Sequence, residues 1–177
     1  MIALLKKTLW NQFGASIEML KNAMAMCPEE NWNSHKKFFY ISYHCLLFLD
    51  YYLTIPPDNF SSPFPFAIVE PDNINVDALD DLMPDKFYSK KELIEYAEMS
   101  YEKCRKLIGR LTEEMLSEKW INKPDQIAAG SVMNYSVLEI LLFNMRHVQH
   151  HSAQLNLLLK QDINNAPNWV SHVSNVS

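Results

Sequence analysis

Two histidines stand four residues apart in the string Arg146-His147-Val148-Gln149-His150-His151. On an α-helix that spacing places His147 and His151 on one face, one above the other, with Cβ atoms about 6 Å apart. Two imidazoles so arranged can share one metal ion. Their stripe also carries Ile140, Asn144 and Leu158, so it belongs to the apolar surface of the helix. His150 projects elsewhere, toward Arg146 and Leu157. The pair is not the zinc-protease motif H-E-x-x-H, because position 148 is Val. A helical chain with six histidines also yields such a pair by chance, so spacing alone leaves the metal reading open.

His44 lies in Phe38-Phe39-Tyr40-Ile41-Ser42-Tyr43-His44-Cys45-Leu46-Leu47, the most apolar stretch of the chain. An imidazole in such surroundings must find a hydrogen-bond partner or a metal, because an unsatisfied buried polar group is costly. A core histidine bonded to a carbonyl and a third metal ligand are both compatible with its position.

The elements that must position these residues are helical. The 177 residues carry 48% hydrophobic side chains, enough for one domain with a real core. Only three glycines occur, which favours helices joined by few tight turns. Leu5, Leu9, Phe13, Ile17 and Leu20 form a stripe that predicts a helix over about 2–26, closed by Pro28. A second helix is expected over about 35–53, ended by Pro56 and Pro57. Ser89 with Glu92 reads as a capping box that opens a third helix to about Leu111. Thr112 then caps a short helix through Glu118, and Asn122 to Gly130 is a polar connection. Ser136 with Glu139 reads as a second capping box, opening a fourth long helix to about Lys160. The residues from about 163 read as a tail. The expected fold is an all-α four-helix bundle spanning 1–177, with a long crossover between its second and third helices.

That crossover, residues 54–88, holds six prolines and the aromatic residues Phe60, Phe64, Phe66 and Phe87. It is too apolar for a free linker. Two readings stand: a connection whose aromatics plug the end of the bundle, or a lid over a site.

Composition excludes several classes of function. A formal net charge of −5 without a long basic stripe argues against a nucleic-acid partner. Cys27, Cys45 and Cys104 are odd in number and contain no C-x-x-C pair, which points to a reducing compartment. The N-terminal apolar residues are interrupted by Lys6, Lys7, Asn11 and Gln12, unlike a signal peptide. No stretch is clean enough to span a bilayer; the closest, Phe38 to Leu53, contains Ser42, His44 and Asp50. A soluble cytoplasmic protein is the expectation.

The segment Ser136-Val137-Leu138-Glu139 through His147, His151 and Gln154 resembles the last helix of the DinB-like superfamily. That helix often reads T-x-x-E, hydrophobic residues, then H-x-x-x-H-x-G-Q. Ser136 and Glu139 match its opening, His147 and His151 its histidines, and Gln154 its glutamine. The family's remaining histidine lies early in the second helix, where His44 stands. Ala153 replaces the usual glycine, and the second helix is unusually aromatic. The 54–88 segment has no counterpart in the pattern.

The resemblance implies a metal centre of His44, His147 and His151, passes over His150, and implies a bundle that is commonly a homodimer. The sequence itself contains no recognisable fingerprint for a further cofactor. Members with assigned activity include thiol-dependent S-transferases and a mycothiol-dependent isomerase; no catalytic side chain carries over. Three neutral imidazoles leave a coordination position open. Zinc and nickel both suit nitrogen ligands. On such an ion a water is acidified and a thiol is held as thiolate. The expected function is a metal-dependent transferase or hydrolase acting on a small molecule, with a low-molecular-weight thiol as candidate co-substrate. A non-enzymatic dimeric stress or binding protein, with a structural metal or none, is the alternative. Tyr40, Tyr51 and Asn144 share stripes with the histidines and are candidates for the site wall, or simply packing residues. Gln154 either orients a ligand from behind or bonds between helices.

Overall fold

A computed structural model describes residues 1–34, 36–121 and 134–173. The polar connection expected at 122–130, and His35 at the expected start of the second helix, lie outside the described residues. The chain is mostly helical. Four long helices, α1 (Ile2–Met26), α3 (Lys36–Tyr52), α4 (Lys90–Arg110) and α6 (Val137–Ile163), are joined by two short ones, α2 (Glu29–Ser34) and α5 (Glu113–Ser117). α1 packs on α4 and α6, and α3 packs on the same two helices. Leu9, Phe13, Ile17 and Leu20 of α1 are all buried, so the stripe read from the sequence is the face that meets the other helices. No helix among the described residues is long and apolar enough to cross a membrane.

The helix ends follow local chemistry. Ser89 and Glu92 form the complete reciprocal box at the start of α4. Thr112 accepts from the Met115 N–H and opens α5. At α6 Ser136 accepts from the Glu139 N–H at 3.2 Å. There the preceding chain is also held by a short bridge, Trp120 N–H to the Tyr135 carbonyl at 3.0 Å and Val137 N–H to the Glu118 carbonyl at 2.9 Å. α6 runs three residues beyond the expected Lys160 and ends at Asn164, whose φ of 52° and ψ of 28° are left-handed, a conformation asparagine tolerates. Its last turn is Lys160-Gln161-Asp162-Ile163, which carries no residue that stops a helix sooner.

The 54–88 segment is more ordered than its prolines suggested. Strands β1 (Phe66–Ile68) and β2 (Leu82–Pro84) pair antiparallel, with Ala67 opposite Met83. Short 3₁₀ turns occupy Pro57–Asn59 and Pro71–Asn73. The flanks of this hairpin are tied to the helices. Phe64 packs on Tyr88 at 4.2 Å and on Tyr96 at 5.1 Å between ring centroids. The Trp32 indole N–H donates to the Tyr88 carbonyl at 3.2 Å. Phe60 packs edge-on against Tyr51. Phe87 packs on Phe39 at 4.1 Å with its outer side exposed, and Phe66 is exposed.

A second anchor closes the C-terminal end of α3. Asp50 is buried; its carboxylate pairs with Lys103 of α4 and accepts from the Tyr96 hydroxyl at 2.9 Å. Lys103 also donates to Thr54, and the Trp120 indole N–H donates to the Thr54 carbonyl at 2.9 Å. Every polar group in this knot has a partner, which is what allows charge to sit there.

Candidate metal centre

α3 and α6 lie against each other, and their contact brings three imidazoles together. The Nε2 of His147 is 3.1 Å from the Nε2 of His44 and 3.0 Å from that of His151. The possible ligand atoms all lie within 4.8 Å of one another. For zinc–nitrogen bonds of 2.0–2.1 Å, tetrahedral coordination puts nitrogens about 3.3 Å apart, so the two short separations are near what one ion requires. The cluster could hold a metal ion.

The backs of the rings decide where their protons sit. The Nδ1 of His44 is 2.6 Å from the Oδ2 of Asp80, and a carboxylate only accepts. Neutral His44 therefore carries its proton on Nδ1 and presents a lone pair at Nε2. The Nδ1 of His151 is 2.7 Å from the Oε1 of Gln154, which also accepts. His151 thus presents its own Nε2 lone pair to the same point. His147 stands between these two acceptors and can donate its single proton to only one of them. A cation at the point of convergence would accept all three lone pairs.

Burial reinforces this arrangement. It lowers the pKa of His147 to about 3, with help from neighbouring His151 and His44. Burial likewise lowers His151 to about 4, against the opposing effect of its bond to Gln154. Both rings are therefore neutral near pH 7, the form that ligates metal. The Nδ1 of His147 is buried with no hydrogen-bond partner among the described residues, as is the Oδ1 of Asn144 one turn earlier. Of the three rings, His147 alone lacks a polar support behind it.

The remaining candidates fall into distinct places. Gln154 stands behind His151. Asn144 is buried and donates to the Leu49 carbonyl at 3.0 Å, tying α6 to α3 beside the site. Tyr51 packs with Phe48, Tyr52, Phe60 and Trp120 rather than with the imidazoles. Tyr40 packs on Phe39, and its hydroxyl pKa is raised by burial and by Asp77. The rings that do touch the histidines are Phe48, 4.7 Å from His44 and 5.8 Å from His147, and Tyr52, 6.1 Å from His147. His150 is exposed; its ring lies 5.1 Å from that of His151, but it is outside the metal-binding group.

Sequence reasoning missed Asp80. It sits 36 residues from His44 in a segment without helical periodicity, among several acidic residues that look alike in sequence. A local clue exists in Asp80-Asp81-Leu82: Asp80 Oδ1 accepts from the Leu82 N–H at 3.0 Å, the self-bonded turn that aspartate favours. That clue locates a turn and not a partner for histidine. Comparison with family models, with curated proteins and with solved structures finds no match.

Proposed function

We propose that this chain is a DinB-like metal-binding four-helix bundle. In this reading α1, α3, α4 and α6 form the bundle, the 54–88 segment is its crossover, and His44, His147 and His151 bind one divalent ion, zinc or nickel. The observation that carries the metal reading is the convergence of three Nε2 atoms, two of them backed by acceptors that turn their lone pairs inward. Three protein ligands leave a position open, which favours catalysis over a purely structural ion. The proposed activity is metal-dependent transfer or hydrolysis on a small molecule, with the chain acting as a homodimer.

When bound, the ion supplies Lewis acidity, lowering the pKa of a water or thiol that reaches it. The chain's own residues do the positioning. Asp80 and Gln154 hold two ligand rings from behind. Phe48 and Tyr52 wall one side of the cluster and restrict water there. The protein's own thiols are poor nucleophiles. Cys27, Cys45 and Cys104 are all buried, and burial raises the thiol pKa of Cys27 to about 11 and pushes those of Cys45 and Cys104 well above the ordinary thiol value. A thiol-dependent reaction at this site would therefore draw its sulfur from a low-molecular-weight thiol in solution.

The test is elemental analysis of protein purified without chelators, followed by conjugation assays with several low-molecular-weight thiols. The expected result is a divalent transition metal bound in proportion to protein, lost in His147→Ala and His151→Ala. Wild-type protein that neither retains nor takes up such a metal would falsify the reading.

A further inference from the structure

The stretch from Phe66 to Pro84 touches the helical core through the partly buried Leu82 and makes few polar contacts with it. Its flanks are pinned, at Phe64 and at Tyr88, by aromatic packing and the Trp32 bond. Between those pins the side chains of Ile68 and Val76 are exposed, and its backbone bonds run within the segment: β1 to β2, and Val69 N–H to the Asp81 carbonyl at 3.0 Å. Among the described residues, one hydrogen bond connects this stretch to the helices, and its partner is His44. The carboxylate of Asp80 spends one oxygen on the Leu82 N–H at the start of β2 and the other on the His44 ring.

We propose that Asp80 makes the hairpin part of the metal centre, so that loading the ion and docking the Phe66–Pro84 stretch are one linked equilibrium. The proposal rests on the metal-binding reading above and adds a positioning residue and a regulated element to it. The coupling runs both ways. Asp80 holds His44 with its proton on Nδ1 and its Nε2 free, and makes that nitrogen a better ligand. A cation on Nε2 withdraws electron density from the ring and makes Nδ1–H a stronger donor to Asp80, which tightens the hairpin. If the hairpin favours the ion, the ion must favour the docked hairpin by the same factor.

Asp80→Asn is the discriminating variant. Its size is conserved, but an amide offers one acceptor and one donor. It can satisfy either the Leu82 N–H or the His44 Nδ1–H, and its nitrogen then faces the other donor. The experiment measures zinc affinity by chelator competition in wild type, Asp80→Asn and Asp80→Ala. It is joined by ¹⁵N spectra of the metal-free imidazoles and by amide exchange at Val69 and Leu82 with and without zinc. The expected result is a roughly 10- to 100-fold weaker affinity in both variants, the range for loss of a carboxylate behind a ligand histidine. His44 should shift its proton away from Nδ1 in Asp80→Asn. Zinc should slow exchange at Val69 and Leu82 in wild type only.

Thermal melts of the metal-free proteins establish that the variants are folded. A merely structural Asp80 would lower those melts without moving the His44 tautomer. Unchanged zinc affinity in Asp80→Asn, or zinc protection of the hairpin that persists in it, overturns the proposal while leaving the metal site standing. A wild type that binds no zinc or nickel overturns the metal reading instead, and with it the linkage.

Discussion

His147→Leu separates the metal centre from ordinary core packing more sharply than removal of any other ligand. His147 is the central ring, 3.1 Å and 3.0 Å from the other two Nε2 atoms, so its loss leaves two nitrogens on different helices. Leucine is similar in size and apolar. It also removes a buried Nδ1 that has no partner, whose cost in wild type is about 1–3 kcal/mol. Leucine also strips a neighbouring ring of the one proton that His147 donates, worth about 0.5–1.5 kcal/mol, so the metal-free variant is expected to be close in stability to metal-free wild type. Its response to zinc should vanish. At a free ion concentration of about 100 times Kd, binding stabilises the folded state by about 2.7 kcal/mol. For a chain of this length that is a rise in Tm of roughly 5–10 °C, at about 2–4 °C per kcal/mol.

Acid gives an independent reading of the same substitution. Burial lowers the pKa of His147 to about 3 and that of His151 to about 4. In the unfolded chain both titrate near about 6.5. Below that pH the unfolded state binds protons that the native state refuses, so stability falls as pH falls, down to the folded-state values. Each group contributes up to about 1.4 kcal/mol per pH unit within that window. Removing one of the two should make the metal-free variant lose stability less steeply between about pH 6 and 4. The assay is a set of thermal melts of both proteins, with and without zinc, at neutral and acidic pH. A leucine variant that keeps the zinc-induced rise, or that is more acid-labile than wild type, refutes the reasoning.

Three further outcomes are expected. Gln154→Leu removes the acceptor behind His151 and should weaken zinc binding by about tenfold or more while leaving the helix intact, measured by chelator competition and circular dichroism. Gly14→Ala should undock the C-terminal tail, because a Cβ at Gly14 collides with Val173, whose N–H bonds the Asn11 carbonyl at 3.2 Å; proteolysis of the tail should accelerate, while the helix itself gains up to about 1 kcal/mol from the better helix former. Asp50→Ala strips Lys103 and the Tyr96 hydroxyl of their carboxylate and should cost about 1.5–3 kcal/mol in denaturant unfolding, kept below the value for a fully buried pair because the Lys103 side chain is 36% exposed.

The sequence by itself determined what depends on neighbours along one helix. The stripe of α1, the box at Ser89, the cap at Thr112 and the start of α6 are set within a turn or two of backbone. So is the placing of His147 and His151 on one face, whereas Gln154, three residues on, had two readings open to it until the structure put it behind His151. The short strands in the 54–88 segment were not legible, because three-residue strands between prolines show no periodicity.

Tertiary structure decided which rings meet those of α6. His44 could have been a satisfied core histidine; only the packing of α3 on α6 turns its Nε2 toward His147. Tyr51 and Tyr52 lie seven and eight residues beyond His44, about 20° to one side and 80° to the other, and periodicity does not say which flank faces α6. The structure puts Tyr52 against His147 and Tyr51 against Trp120. Asp80 is the extreme case. Its place beside His44 follows from a hairpin register and from the pinning of both ends of its segment, contacts made between residues far apart in the chain. Helical geometry is repeated every few residues and can be read locally, whereas the meeting of His44 with Asp80 exists only after the chain has folded.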